Sequence, residues 1–210
     1  MPTIGLTGNF GMGKTTVLKL FRKLGAHIFS SDDYVHEILT GPRIIRKLSN
    51  ALGEQVVSAS RGGTRINRKV MADMIFSDPL KRKQAEKIIH PEVMKLIIKD
   101  ASKILKKDRT AVVVFEVPLL FEAGYGKHFD FTVTAHCTRG NIAKRAGKKG
   151  FSKEEAFRRL RAQMPITQKK KLADFLINNN GEIEDTEKQV RRIFNAIAGV
   201  KAGKRGSSSS

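Results

Sequence analysis

Residues 8–15 of the sequence read GNFGMGKT. It matches the pattern G-x-x-x-x-G-K-[ST] and lies between a short apolar run, PTIGLT, and a segment with apolar residues at helical spacing. Glycines let successive backbone N–H groups line a concavity, and the start of the following helix adds a partial positive charge. The stretch therefore predicts a loop that binds nucleotide phosphates. The alternative interpretation is a turn that only caps a helix.

Two side chains of this loop have predicted roles. Lys14 can reach the β- and γ-phosphates, and the hydroxyl of Thr15 can bind Mg²⁺. Asn9, Phe10 and Met12 are less informative, because the pattern accepts any side chain at their positions. The pattern is shared by GTPases, motors and small-molecule kinases. The absence of an NKxD motif and the length of 210 residues favour a small-molecule kinase.

Composition limits the other classes of function. The 40 Lys and Arg against 20 Asp and Glu give a formal charge of +20, which attracts polyanions. The basic residues are scattered and lack interleaved aromatics for stacking on bases, so we expect nucleic-acid binding to be unlikely, although a nucleic-acid-binding ATPase stays the alternative from another class. The sequence contains no run of about 18 apolar residues, which is the length that a membrane-spanning helix requires. The single Cys137 fits a reducing, cytoplasmic location.

The order of apolar segments predicts an α/β fold. PTIGLT, AHIFS, TAVVVFEVP, FDFTVTAH and DFLINN read as strands that alternate with helices, which implies a parallel five-stranded sheet. Residues 32–108 read as almost entirely helical, with one polar turn at SRGGTRIN and breaks before Pro42, Pro79 and Pro91. This stretch is too long for an ordinary crossover and predicts an inserted subdomain. Residues 201–210 are expected to be disordered.

Acidic residues at the ends of two predicted strands are candidate active-site groups. Asp32 follows the second strand, where it could orient an acceptor hydroxyl and take its proton, while Asp33 would cap the next helix or add charge to its first turn. Glu116 ends the central strand, where it could hold a metal ion through water or pair with a lysine. Glu122 could contact the acceptor, and His90 could contact a phosphate or serve a helix break.

A cluster of arginines follows the fourth predicted strand. It comprises Arg145, Arg158, Arg159 and Arg161, near the sequence GKKG. Arginines in a flexible lid can stabilise the charge of a phosphoryl group in transfer, whereas the ordinary interpretation is a solvated helix face.

Six segments together resemble the dephospho-CoA kinase family over about residues 3–198. They are IGLTGNFGMGKTT, LGAHIFSSDDYVHEIL, INRKVMADMIFSDPLKRKQAEKIIHPEV, VFEVPLLFEAG, RRLRAQMP and KKLADFLINNNG. The resemblance implies a three-layer P-loop NTPase fold. It divides the chain into a core of residues 1–32, 93–138 and 167–200, a substrate-binding insertion of residues 33–92 and a lid of residues 139–166.

The resemblance also implies a reaction and its residues. ATP would give its γ-phosphoryl group to the ribose 3′-hydroxyl of dephospho-CoA with Mg²⁺, in a protein that is a monomer or a weak homo-oligomer. The catalytic residues would be Asp32, Lys14 and Arg145. ATP would be bound by Gly11, Met12, Gly13, Lys14, Thr15, Thr16, Arg159 and Asn179, and the acceptor by Asp32, His90 and Glu122. The metal ion would be bound directly by Thr15 and through water by Glu116.

Two residues depart from the pattern of the family. Ser30 stands where the family often has an aspartate, and Glu116 replaces another. Within enzymes, the alternative is another small-molecule or nucleoside monophosphate kinase with the same loop.

Overall fold

The structure, a computed structural model, describes residues 2–60 and 63–199, so the predicted tail of residues 201–210 lies outside it. In chain order the helices and strands are β1 (Thr3–Thr7), α1 (Lys14–Lys23), β2 (His27–Ser30), α2 (Ser31–Ile38), α3 (Pro42–Leu52), β3 (Val57–Ser60), β4 (Gly63–Ile66), α4 (Arg68–Ser77), α5 (Pro79–Lys107), β5 (Val113–Glu116), β6 (Phe131–His136), α6 (Arg139–Gly147), α7 (Lys153–Arg161), α8 (Ile166–Leu172), β7 (Phe175–Asn178) and α9 (Ile183–Ala198). Two short 3-10 helices lie at Glu54–Val56 and Tyr125–His128.

The chain divides into two compact units. The helical unit is Ser31–Asp100, and the sheet unit consists of the described residues on either side of it. The long helix α5 begins in the helical unit and ends in the sheet unit.

The sheet unit is built on five parallel strands in the order β2-β5-β1-β6-β7. This confirms the predicted α/β fold with a parallel five-stranded sheet. β5 is buried along its whole length, as its run of β-branched residues indicates. β1 lies between β5 and β6, so the loop that follows β1 leaves the sheet at its centre.

The core of the sheet unit fixes where that loop begins. Ile4 and Leu6 of β1 are fully buried against apolar residues of α1 and α9, among them Val17, Phe21 and Ile197. Burial of this kind contributes about 1.5–3 kcal/mol for each large apolar side chain. The glycine loop therefore starts from a fixed strand and ends on a fixed helix.

The helical unit differs from the sequence-based prediction in two places. Val57–Ser60 (β3) and Gly63–Ile66 (β4) form an antiparallel pair, where the sequence predicted helix interrupted by the polar turn SRGGTRIN. Such short strands give too few alternations for a periodicity signal. The predicted break before Pro91 is also wrong, because Pro91 lies inside α5. Buried residues lie before and after Pro91 in the helix, namely Ile89, Val93 and Ile97. Their packing maintains the helix although proline has no backbone N–H to donate.

Two further findings concern helices. α8 falls on ITQKKKL, for which the sequence made no prediction. Among the residues that the structure describes, no helix combines the length and apolar character that crossing a bilayer requires.

Candidate phosphate-binding site

The glycine loop bends because three of its residues have left-handed or extended positive φ angles. Gly8, Gly11 and Gly13 have φ angles of 147°, 74° and 84°. Only glycine adopts these conformations without strain. Gly13 precedes α1 and gives it no side-chain cap, so the start of the helix is shaped to receive an anion.

Met12 anchors the loop in the protein. Its side chain is buried in a small apolar cluster with Cys137 and Ile142. A Cβ at Gly11 would lie 2.8 Å from Ile142 Cγ2, so the loop lies too close to α6 for a larger residue. The sequence pattern could not show this, because it accepts any side chain at the position of Met12.

Lys14 extends across the loop to a carboxylate. Its Nζ donates to the Asn9 carbonyl oxygen at 3.4 Å and lies 4.0 Å from Glu116 Oε1. Glu116 is the last residue of β5 and is 8% exposed. The sequence allowed two interpretations of Glu116, a carboxylate near a metal ion or the partner of a lysine. The two are compatible, because the lysine that Glu116 pairs with belongs to the glycine loop.

Asn179, just after β7, holds the loop from the other side. Its buried Nδ2 donates to the Met12 carbonyl oxygen at 3.0 Å, and its Oδ1 accepts from Thr186 Oγ1 of α9 at 3.0 Å. Buried amide groups that are satisfied on both sides hold a fixed orientation. The peptide between Met12 and Gly13 is thereby fixed to the far edge of the sheet.

Arg145 of α6 lies against the same residues. One of its Nη atoms donates to the Asn179 carbonyl oxygen at 2.8 Å, and the other lies 3.5 Å from Cys137 Sγ. Burial raises the pKa of the Cys137 thiol, and the nearby Arg145 charge partly opposes that rise. The structure therefore brings Arg145 and Asn179 together beside Gly13.

Arg159 of α7 lies between two aromatic rings. Its guanidinium carbon is 5.1 Å from the ring centroid of Phe10 and 4.5 Å from that of Phe151. Its Nη2 also pairs with Glu155 Oε1 at 2.9 Å. Phe10 belongs to the glycine loop, so Arg159 lies beside that loop.

The segment after α7 is bonded to the loop as well. Asn9 Nδ2 donates to the Met164 carbonyl oxygen at 3.0 Å, and the Phe10 N–H donates to Gln163 Oε1 at 2.9 Å. The Met164 N–H in turn donates to Glu122 Oε1 at 3.1 Å. Sequence reasoning missed Gln163, because a single glutamine after a basic helix carries no signal of a distant partner.

Glu122 also pairs with a fully buried lysine. Lys169 Nζ lies 2.9 Å from Glu122 Oε1 and donates to the Pro118 carbonyl oxygen at 2.7 Å. Burial lowers the pKa of Lys169, while the Glu122 carboxylate acts in the opposite direction. Both Met164 and Lys169 contact Oε1 of Glu122, and the contact of Glu122 with the acceptor stays a prediction.

The remaining candidate residues lie on three helices, α1, α2 and α5. Thr15 and Thr16 are exposed in the first turn of α1. Asp32 and Asp33 are exposed in the first turn of α2, within the helical unit, which is the place that the sequence suggested for a first-turn charge. His90 is half-buried inside α5 of that unit. Their roles in binding or catalysis stay predictions.

The donors near the loop suit a magnesium ion. Thr15 offers a hydroxyl oxygen and Glu116 a carboxylate oxygen, and Lys14, the predicted phosphate ligand, lies next to Thr15 in the chain and 4.0 Å from Glu116. Mg²⁺ prefers oxygen ligands and is held through one or two side chains together with substrate phosphates. The residues present therefore fit the ion.

Comparison with known proteins gives the family. A family model described as dephospho-CoA kinase matches residues 2–185. A protein named dephospho-CoA kinase from Aquifex aeolicus is 35% identical over 198 residues, which cover 94% of this chain and 98% of that protein.

Solved structures have the same fold. A crystal structure of a Thermus thermophilus protein is 31% identical and covers 94% of this chain and 98% of its own, with a TM-score of 0.77. A shikimate kinase from Bacteroides thetaiotaomicron, 15% identical with a TM-score of 0.51 and coverage of 93% and 97%, shares the fold alone. The chain belongs to the dephospho-CoA kinase family of phosphotransferases, which act on an alcohol group.

Proposed function

We propose that this chain transfers the γ-phosphoryl group of ATP to the ribose 3′-hydroxyl of dephospho-CoA, the last step of coenzyme A synthesis. The observation that carries the proposal is the contact of Lys14 with Asn9 and Glu116 across the glycine loop. It supports a charged pocket for the terminal phosphates of ATP, and membership in the family supports the acceptor.

On the donor side, the backbone of Gly11, Met12 and Gly13 binds the phosphates, because glycine-rich loops bind anions through backbone N–H groups and the Met12 side chain is buried away from the ligand. Lys14 and the start of α1, with Thr15 and Thr16, neutralise their charge. Asn179, which follows β7, is a further residue of the proposed ATP-binding site.

Two arginines complete the donor side. Arg145 and Arg159 stabilise the negative charge that spreads over the phosphoryl oxygens during transfer. Arg145 acts on the reacting phosphoryl group and is catalytic, while Arg159 binds ATP. What supports this is their place beside Gly13 and Phe10 of the loop.

On the acceptor side, Asp32 accepts a hydrogen bond from the 3′-hydroxyl and takes its proton late in the transfer. Phosphoryl transfer needs positioning more than strong basicity, so an ordinary carboxylate suffices. Its support is its place two residues after β2, whose last residue Ser30 is the neighbour of Glu116 in the sheet. His90 and Glu122 are proposed as further acceptor contacts.

Thr15 would bind Mg²⁺ directly and Glu116 would bind it through water. When bound, the ion neutralises charge on the phosphates and orients them. Glu116 would also keep Lys14 extended toward the phosphates, since their side chains lie 4.0 Å apart.

The other predictions belong to the same proposal. Residues 33–92 bind the acceptor and residues 139–166 act as the lid, in a cytoplasmic protein that is a monomer or weak homo-oligomer. The charge of +20 speeds the encounter with ATP and dephospho-CoA, because both are polyanions. Sedimentation velocity with and without both substrates measures the oligomeric state.

A substrate panel tests the proposal. The purified protein is incubated with ATP and Mg²⁺ together with dephospho-CoA, AMP, shikimate or gluconate, and the products are followed by phosphorus NMR. We expect phosphorylation of dephospho-CoA at the 3′ position in preference to the others. Preferential phosphorylation of another acceptor would refute the proposed substrate while leaving the ATP site in place.

A further inference from the structure

Phe10 is the residue of the glycine loop that contacts Arg159. Its ring lies edge-on to that of Phe151, with centroids 5.3 Å apart and planes at 84°. The Arg159 guanidinium lies over both rings, at 5.1 Å and 4.5 Å from their centroids. All three side chains are half-buried, so the stack is partly shielded from water.

This arrangement fixes an arginine that would otherwise be flexible. A guanidinium over an aromatic face is attracted by the ring electrons, and the attraction increases as water is excluded. Glu155, one turn earlier on α7, holds the guanidinium from a third side at 2.9 Å. A long side chain held in this way loses less rotational freedom when it binds an anion.

The stack is attached to the phosphate loop itself. Asn9, the neighbour of Phe10, accepts a hydrogen bond from Lys14 Nζ through its carbonyl oxygen. The Phe10 N–H donates to Gln163, which follows α7. The ring of Phe10 therefore connects Arg159 to the same short segment that contacts Lys14.

We propose that Phe10 and Phe151 are positioning residues that hold Arg159 ready to bind the phosphates of ATP. The proposal rests on the ATP-binding role of Arg159 proposed above. The position of Phe10 in the loop accepts any side chain, so the aromatic ring is a feature of this chain and not of the phosphate-binding pattern. ATP affinity thus depends on the two aromatic rings that hold Arg159 in place.

The chain offers a matched control. Phe157, also on α7, lies under Arg139 and Lys153, each 6.0 Å from its ring centroid. Arg139 and Lys153 are exposed, and neither is part of the proposed ATP site. Phe157→Leu therefore removes an aromatic ring from the same helix without affecting Arg159.

The experiment measures ATP binding by titration calorimetry, in the full chain and without acceptor. We expect Phe10→Leu to weaken ATP binding about fivefold, the ratio given by a contact of ordinary cation–π strength. Phe10→Tyr, which keeps the aromatic face, stays within about twofold of wild type, as does Phe157→Leu. Phe151→Leu weakens binding like Phe10→Leu and serves as the second variant. Steady-state kinetics then show a higher KM for ATP with an unchanged KM for dephospho-CoA.

A double-mutant cycle with Arg159→Met separates the possible causes. The proposal predicts that Phe10→Leu has no further effect once Arg159 is replaced. An equal loss of affinity in both backgrounds, or a loss in Phe10→Tyr as large as in Phe10→Leu, would overturn it. Unchanged ATP affinity in Arg159→Met would instead refute the proposed role of Arg159. The identity of the acceptor does not enter this measurement.

Discussion

Replacing Gly13 by alanine tests how the phosphate loop is held. Gly13 has a φ angle of 84°, and a Cβ added there would overlap with Asn179 Nδ2 and lie 3.2 Å from an Nη atom of Arg145. The Asn179 amide must therefore move, and its hydrogen bond to the Met12 carbonyl oxygen at 3.0 Å is lost.

The magnitude follows from two terms. The left-handed conformation costs an L-residue about 1 kcal/mol, and a buried polar group without its hydrogen bond costs about 1–3 kcal/mol. We expect Gly13→Ala to lower the free energy of unfolding by about 3 kcal/mol, which lowers the Tm of a chain of this length by about 6–12 °C. Gly25→Ala is the control, because Gly25 has a φ angle of 94° and no described atom lies within 4 Å of an added Cβ. It should lower the Tm by only about 2–4 °C.

The assay is thermal unfolding followed by circular dichroism, with and without ATP and Mg²⁺. ATP should raise the Tm of Gly25→Ala as it does for wild type, because a ligand of the folded state stabilises it. It should raise the Tm of Gly13→Ala much less. Equal losses of Tm in the two variants would refute the conclusion that Asn179 holds the loop.

The remaining predictions concern individual side chains. Lys14→Ala and Asp32→Asn should each lower kcat, measured by ADP release, by about a hundredfold or more while the protein stays folded by circular dichroism. Nearly full kcat in Asp32→Asn would refute its role in orienting the hydroxyl. Arg145→Ala should lower kcat more than it raises the KM for ATP, and equal changes would indicate plain ground-state binding. Glu122→Gln should lower the free energy of unfolding in urea by about 3 kcal/mol, because it leaves the buried Lys169 ammonium uncompensated. Burial holds the Lys169 pKa below its ordinary value, so raising the pH should deprotonate Lys169 in the folded protein first and recover part of the lost free energy of unfolding. An unchanged free energy of unfolding in Glu122→Gln would contradict a stabilising ion pair with Lys169.

The sheet could be predicted because each strand carries its own signal. The run from Val112 to Phe115 is apolar and begins with three β-branched valines, which is typical of a strand buried on both faces. The pairing of β3 with β4 could not be predicted, because strands of four residues are too short to show an alternating apolar pattern. The predicted helix break before Pro91 was wrong for a different reason. A proline signals a break locally, whereas the helix there is maintained by buried residues on either side.

In the candidate site, too, residues in a local sequence pattern could be predicted, whereas contacts between distant residues could not. Lys14 and Thr15 could be found from spacing alone, because a phosphate loop needs those residue types next to a helix start. The contacts of Asn179 with Met12 and of Lys169 with Glu122 join residues far apart in the chain. No local pattern encodes them, and Lys169 stands among other lysines that are not fully buried.

A crystal structure with a non-hydrolysable ATP analogue, Mg²⁺ and dephospho-CoA tests the proposed site most directly. We expect the terminal phosphates inside the glycine loop, with Lys14 Nζ in contact with them and Asp32 within hydrogen-bond distance of the 3′-hydroxyl. A nucleotide bound elsewhere, with the glycine loop empty at saturating concentration, would contradict it.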